Sequence, residues 1–158
     1  MSHFTKVTTQ FKDKECLTNA LKLFFKEIET HNEKHPLYGY KGDQRTQSAE
    51  IIIRKQYVGR ASNDIGFSYN PETQCYEAYI SEYDVGHHEY NDEWLNELKV
   101  QYAEEVIKKQ AAKDNAKIER TVLENGSIQY KLIPKQKQKQ ARTKQQVKTS
   151  QKQLRTLL

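Results

Sequence analysis

Long apolar runs are missing from this sequence. Its apolar runs, such as Ile51-Ile52-Ile53, are short, and the mean hydropathy is −0.99. A helix that crosses a bilayer needs about 20 consecutive apolar residues, so a transmembrane helix is excluded. The 158 residues suit one ordinary domain, and the 10 tyrosines and 5 phenylalanines argue against wholesale disorder.

Cysteine is also scarce. Cys16 and Cys75 are far apart in the sequence, and neither belongs to a C-x-x-C pair. Two cysteines cannot build a disulfide scaffold, and residues 1–6 lack the apolar core of a secretory signal. We therefore expect a reducing compartment, with the two thiols packed as small apolar side chains.

Sequence signatures of catalysis and of cofactor binding are missing as well. The patterns G-x-S-x-G, G-x-x-x-x-G-K-[ST] and G-x-G-x-x-G do not occur. We therefore predict no catalytic residue and no cofactor, although an enzyme with dispersed residues stays open.

Patterns that would ligate a metal are weak. His31 and His35 have a spacing that suits one face of a helix, but Asn32 follows His31 where a zinc motif would place Glu. A cluster of acids near the second predicted helix suits a hard cation, but it also suits the positive end of a helix dipole. We favour solvated histidines and acids at a helix N-terminus, and we predict no metal. The acids are Glu82, Asp84, Glu89, Asp92 and Glu93.

Acidic residues are absent from residues 135–158. Eight of the 26 Lys and Arg residues lie there, which leaves 18 basic against 21 acidic residues in 1–134. The alkaline pI therefore belongs to this tail, which has too few apolar residues to fold alone. Its cations can neutralise phosphates of RNA or of lipid headgroups, or the tail is a solvated extension without a partner. These candidate contacts are Lys135, Lys137, Lys139, Arg142, Lys144, Lys148, Lys152 and Arg155.

The remaining sequence is patterned for strands and helices. Alternating residues predict a strand over 4–11, and Asp13 caps a helix whose apolar stripe continues to Ile28 and which ends by His35. Residues 51–58 predict a central strand, and two alternating segments around Asn70-Pro71 predict a hairpin. Asn91 caps a second helix, and residues 118–133 form a closing hairpin.

The predicted order of elements is β-α-β-β-β-α-β-β. Consecutive hairpins favour an antiparallel sheet, and two amphipathic helices need its apolar face. We therefore predict an α+β domain over residues 1–134, with both helices on one face of the sheet. The basic tail over 135–158 is predicted to be disordered when free.

The closing hairpin contains Asn125-Gly126, which usually indicates a two-residue loop. That loop would mix apolar and polar residues on both faces. A three-residue loop instead pairs Val122 with Ile128 and places apolar residues on one face. We therefore predict the longer loop, with Gly126 in the left-handed conformation of a bulge.

An ordered set of short segments resembles one family. The chain is similar to the uncharacterised proteins of plastids and cyanobacteria named hypothetical chloroplast reading frame thirty-five, over roughly residues 1–133. The resemblance implies a plastid setting and synthesis inside the organelle, and it implies no activity or cofactor. The segments are Met-Ser-His-Phe-Thr at the start, Leu17/Ala20/Leu21, Gly39-Tyr40 with Gly42, Ala49-Glu50-Ile51-Ile52-Ile53-Arg54, Asp64-Ile65-Gly66-Phe67 and Gln101-Tyr102-Ala103.

Two interpretations of function follow from these features. The first is a non-enzymatic binding or assembly accessory protein of the plastid stroma, with a protein partner that the sequence does not identify. The second is a protein associated with RNA or a nucleoprotein, tethered by the basic tail.

Overall fold

A computed structural model describes residues 3–135, which contain strands and helices in alternating groups. In chain order the elements are β1 (Phe4–Thr8), α1 (Lys14–Leu21), β2 (Glu29–Tyr38), β3 (Gln44–Ile53), α2 (Lys55–Val58), β4 (Ile65–Asn70), β5 (Cys75–Ser81), α3 (Glu82–His87), α4 (Asp92–Lys113), β6 (Ala116–Val122) and β7 (Ile128–Pro134). None of the helices in this part of the chain is both long and apolar enough to span a membrane.

The first five strands form one antiparallel sheet in the order β1-β5-β4-β3-β2. The predicted hairpin joins β4 to β5, and Tyr69 pairs with Tyr76 beside its turn. The Asn70 side-chain oxygen accepts the Glu72 N–H at 2.9 Å, a turn contact that asparagine commonly makes. The predicted α+β class with an antiparallel sheet is confirmed.

Both predicted helices cover one face of this sheet. Buried residues of α1 and α4 share one apolar cluster with Ile51 and Ile53 of β3, whereas Ile52 belongs to a second cluster. This division follows from the alternation of side chains along a strand. The helix residues in the first cluster are Leu17, Ala20, Leu21, Trp94, Leu95 and Leu98. Cys16 and Cys75 are buried free thiols, as expected.

The first helix is shorter than predicted. It ends at Leu21, and the continuation of the helix toward His35 is wrong. Phe24 and Phe25 keep their predicted burial through a turn, in which both rings meet the Trp94 ring edge-on. From Glu29 onward the chain has no apolar stripe that a helix could bury, and pairing with β3 satisfies its backbone instead.

The predicted central strand over 51–58 is also displaced. β3 begins at Gln44 and ends at Ile53, and residues 55–58 form the short helix α2. The Asp64 carboxylate accepts the N–H of Lys55 at 2.8 Å, which caps the first turn of α2 from a distant segment. A further helix, α3, was not predicted, and the Ser81 hydroxyl caps it by accepting the Asp84 N–H.

The chain divides into two compact units, of which the first ends at Glu105 and the second begins at Val106. In the second unit, β6 and β7 form a separate two-stranded sheet. Val122 pairs with Ile128, the Leu123 N–H donates to the Ser127 carbonyl at 2.8 Å, and Gly126 has φ +86°. The predicted three-residue loop is therefore confirmed. The predicted tail boundary stays a prediction, because residues 136–158 lie outside the described part.

Candidate ligand-binding cleft

Three consecutive polar residues are buried in the connection between α2 and β4. Ser62, Asn63 and Asp64 are 2%, 1% and 1% exposed. Buried polar groups are costly unless they are hydrogen-bonded, so the partners of this segment determine the local structure. Ala61, just before the segment, has φ +58°, which turns the chain into the protein.

Asp64 ties this connection to β2 and to the end of β3. Its Oδ2 accepts the N–H of Tyr38 at 2.8 Å, and its own N–H donates to the Tyr38 carbonyl at 3.0 Å. The same Oδ2 lies 2.9 Å from Nη1 of Arg54, and Oδ1 accepts the Lys55 N–H. One buried carboxylate therefore holds three segments of chain together.

A second carboxylate completes the environment of Arg54. Nη2 of Arg54 is 2.5 Å from Oε2 of Glu29, which is also 2.9 Å from Nε2 of His31. Burial alone would raise the pKa of Glu29, but the hydrogen bonds from His31 and Arg54 outweigh burial and lower this pKa. Burial likewise opposes the charge on Arg54, and its bonds to Glu29 and Asp64 raise the Arg54 pKa. The arginine is a fixed positive charge between β2 and Asp64.

Asn63 joins the same connection to the β2–β3 turn and to α3. Its Oδ1 accepts the N–H of Tyr40 at 2.9 Å, and its Nδ2 donates to the Ser81 hydroxyl at 2.9 Å. The backbone N–H of Asn63 donates to Oδ2 of Asp84 at 3.1 Å, and the Ser81 hydroxyl donates to the same oxygen at 2.6 Å. The amide of Asn63 therefore fixes the position of Tyr40.

The β2–β3 turn depends on two glycines. Gly39 donates to the Asp43 carbonyl at 2.8 Å, and Gly42 has φ +78°, where glycine carries no steric penalty. A Cβ on Gly39 would lie 2.6 Å from both Nε of Arg45 and Oδ1 of Asp43. Because Gly39 has no side chain, Arg45 and Asp43 can approach the backbone and pair at 2.8 Å.

A cleft of about 790 Å³ lies between this turn, the α2–β4 connection and α3. Its size falls within the range of small-molecule sites. Among the described residues, its lining supplies two phenol rings, two cations and one carboxylate, which are groups suited to binding, together with the Asn63 amide. The lining residues are Tyr40, Lys41, Asp43, Arg45, Ala61, Asn63 and Tyr83.

Comparison with known proteins places this cleft within a family. Residues 23–133 match the family described as "Protein of unknown function (DUF1257)", and these residues contain every lining residue of the cleft. The chain belongs to the DUF1257 family. No curated protein and no solved structure matches the chain.

Only Lys135 among the eight predicted cationic contacts of this DUF1257 chain lies in the described part. Lys135 is exposed, and its backbone N–H donates to the Asn115 carbonyl at 3.1 Å. The predicted contact with an anionic partner therefore stays a prediction. The other seven, Lys137, Lys139, Arg142, Lys144, Lys148, Lys152 and Arg155, lie outside the described residues.

The histidines singled out as a possible helical pair lie on a strand instead. His31 and His35 both belong to β2, and their rings stack with centroids 3.7 Å apart. Their helical spacing was a wrong guide because α1 ends before them. Within residues 3–135, no group of three or more His, Cys, Asp or Glu side chains is arranged to hold a metal ion.

Four of the five acids near the second predicted helix lie in the first turns of two helices. Glu82 and Asp84 belong to the first turn of α3, and Asp92 and Glu93 to that of α4. The expected position at the N-terminus of the second predicted helix is confirmed for Asp92 and Glu93, whereas Glu89 lies outside both helices with φ +61°. Asp84 is fully buried, and its Oδ1 has no hydrogen-bond partner among the described residues.

Sequence reasoning missed the cleft of this DUF1257 protein, although one signal pointed toward it. Two of the segments that carried the resemblance adjoin the cleft, because Gly39-Tyr40 with Gly42 forms the β2–β3 turn and Asp64 follows the lining residue Asn63. The sequence alone gave no reason to join them, because Asn63 and Tyr40 are brought together by the pairing of distant strands.

Proposed function

We propose that this DUF1257 protein is a non-enzymatic binding protein that holds a small ligand in the cleft. The hydrogen bonds of Asn63 carry the proposal, because they link Tyr40 on one wall to Ser81 and Asp84 at the start of α3. A wall fixed before the ligand arrives loses less conformational entropy on binding. The lining provides rings and charges that bind, arranged around a shape that the protein itself maintains.

The setting we propose for this binding protein is the plastid stroma, where it would act as an accessory in assembly. This part of the proposal is supported by the resemblance to the chloroplast reading-frame proteins. Expressing a tagged chain from its own gene and separating the plastids from the rest of the cell tests it. Recovery in the stroma, with a partner retained on the tagged chain, supports an accessory role. Recovery only outside the plastid contradicts the setting.

A fragment screen by ¹H–¹⁵N correlation spectroscopy tests the binding function. We expect saturable shifts at the amides of residues 39–45, 61–63 and 83, and a bound fragment that is recovered chemically unchanged. Shifts that concentrate elsewhere, or the absence of saturable shifts at millimolar concentration, contradict the proposal. Turnover of a bound fragment contradicts its non-enzymatic part.

The charge pattern of the sequence favours a second candidate function. Residues 135–158 carry eight cations and no acid, whereas residues 1–134 have an acidic excess. We propose as the alternative that this tail tethers the protein to RNA through phosphates. A gel shift that is lost when residues 135–158 are removed supports this alternative, and a shift that survives the deletion contradicts it.

A further inference from the structure

The charge of the cleft favours an anion. Arg45 pairs with the Asp43 carboxylate, so among the described lining residues one cation is balanced by one acid. Lys41 has no hydrogen-bond or ion-pair partner among residues 3–135. Behind the turn, the Lys55 ammonium donates to the Tyr40 carbonyl at 3.1 Å and adds a further positive charge. The described lining residues therefore carry one net positive charge, in a body whose residues 1–134 have an acidic excess.

The rings of the cleft favour a flat ligand. Tyr40 is 55% exposed, although a phenol ring usually buries its apolar body. Tyr83 lines the same cleft, and its ring stacks on His87 with centroids 4.2 Å apart and an interplanar angle of 14°. This stacking fixes the plane of the Tyr83 ring. A planar aromatic molecule is the ligand shape that such rings stabilise by stacking.

The amide of the cleft has little hydrogen-bonding capacity left for a ligand. Asn63 Oδ1 accepts from Tyr40, and Nδ2 donates to Ser81 and lies 3.4 Å from Oδ2 of Asp84. Both ends of this amide are thus engaged inside the protein. The Nδ2 donors and one of the two acceptor positions of Oδ1 are used inside the protein. Recognition in this cleft therefore rests mainly on groups other than this amide, among them the rings and the cations.

We propose that the cleft binds a planar aromatic anion. The ligand ring lies against Tyr40 and Tyr83. The anionic group of the ligand is held by Lys41, on the side of the cleft where Arg45 lies. This inference rests on the proposed binding function and names the chemical class of its ligand. A carboxylate and a phosphate share the required charge, so an aromatic carboxylate and a nucleoside monophosphate are its two sources.

Matched probes separate ring from charge. 2-Naphthoate has both, 2-naphthamide keeps the ring without the charge, cyclohexanecarboxylate keeps the charge without the ring, and adenosine monophosphate offers a phosphate. Titrations are followed by the amide shifts of residues 39–45 and 83. We expect 2-naphthoate to bind about tenfold tighter than 2-naphthamide, because the amide lacks the charge-assisted contact. We expect a similar difference from cyclohexanecarboxylate, because that probe lacks the aromatic ring. The tighter of 2-naphthoate and adenosine monophosphate identifies the source of the anion.

Three variants test the assignment of residues. Lys41→Gln is expected to weaken 2-naphthoate about fivefold or more and to leave 2-naphthamide within about twofold. Tyr40→Leu is expected to weaken both. Lys26→Gln, an exposed lysine outside the cleft lining, is the matched control and leaves both unchanged. Circular dichroism checks that each variant is folded.

The outcomes distinguish this inference from the function on which it rests. Equal binding of 2-naphthoate and 2-naphthamide at the cleft overturns the anionic ligand and leaves the binding function standing. Equal binding of 2-naphthoate and cyclohexanecarboxylate overturns the aromatic ligand in the same way. If no probe shifts the cleft amides but another fragment does, the ligand class is wrong. If nothing shifts them, both proposals fail.

Discussion

Arg54 Nη1 lies 2.9 Å from Oδ2 of Asp64, whose side chain is only 1% exposed. The ion pair joins Arg54, the residue immediately before α2, to Asp64, the residue immediately before β4. The same carboxylate oxygen accepts the Tyr38 N–H, so the ion pair and the end of β2 share one atom. A change at Asp64 therefore reaches β2, α2 and the cleft wall together.

We expect Asp64→Asn to lower the free energy of unfolding by about 2–4 kcal/mol, because it leaves Arg54 without its buried charge partner. Urea unfolding measures the loss. Glu72→Gln, at an exposed turn carboxylate, is the control and should change stability by less than about 0.5 kcal/mol. A loss at Asp64 as small as that of the control would show that the pair does not hold these segments.

Asn63→Asp is nearly isosteric and tests the amide network. The new carboxylate would face the Ser81 hydroxyl and the Asp84 carboxylate where the amide now donates. We expect a loss of about 2–4 kcal/mol at pH 7, from a lost donor and a buried like charge. Asp84→Asn in the same chain should restore part of the loss. If the double variant lost more unfolding free energy than the two single variants lose together, the result would contradict this arrangement.

The raised pKa of Tyr76 predicts that the stability of the folded protein falls at alkaline pH. Burial, followed by the nearby Glu50 carboxylate, raises its pKa from 10.0 to about 12. The native state then holds the phenol proton more tightly than the unfolded state, so this stabilisation is complete below pH 10 and is lost as pH rises toward about 12. Tyr76→Phe has no such proton to lose.

Urea unfolding of the wild-type protein and of Tyr76→Phe between pH 9 and pH 12 measures this effect. This pH range includes the ordinary pKa of 10.0 and the raised pKa of about 12. We expect the wild-type protein to lose on the order of 2 kcal/mol relative to Tyr76→Phe across this window. Absorbance titration of the phenolate at 295 nm checks the assignment. Parallel stability curves for the two proteins would refute it.

Gly126→Ala tests the loop of the closing hairpin. Gly126 has φ +86° and open space around it, so the added methyl group meets no atom and only the backbone conformation is strained. We expect a cost of about 1 kcal/mol, seen as an approximately fivefold faster hydrogen exchange of the Leu123 amide. Gly86→Ala, at a helical glycine with equal space, is the control and should not destabilise its helix. Unchanged exchange at Leu123 would argue against the strain.

The basic tail predicts a bounded salt dependence. If residues 135–158 bind single-stranded RNA, about eight phosphates are neutralised at most. The slope of log affinity against log salt should then be no steeper than about −6. Gel shifts over a salt series measure it, with RNAs of unrelated sequence as a control for specificity. A steeper slope would require cations from elsewhere in the chain.

Local chemistry predicted the elements whose contacts are close in sequence. The Asn91 cap of α4, whose side chain accepts the Trp94 N–H, and the bulged loop at Gly126 were both predicted, because each depends on neighbouring residues. The end of α1 was not, since the stripe through Phe24 and Phe25 continued at helical spacing while the fold buried those rings through a turn. The strand β2 gains its stability from β3, which local periodicity does not reveal.

The candidate site was less accessible to such reasoning. Ser62-Asn63-Asp64 has the composition of an ordinary surface turn, and its burial accompanies contacts to partners on β2, α2 and α3. Tyr40 and Tyr83 come from separate segments of the sequence, and the sheet determines that they line one cleft. The charge distribution, in contrast, could be predicted from the sequence, because the basic residues are concentrated in the tail.

The irregular pairing of β2 limits how this protein can meet other chains. β2 is an outer strand, and its register with β3 shifts between Thr30 and His35. Pro36 lacks an N–H, and Glu33 and Lys34 are exposed charges on the same strand. An incoming strand would find a broken ladder and would have to desolvate these charges. This edge of the sheet therefore disfavours the addition of further strands and aggregation through it.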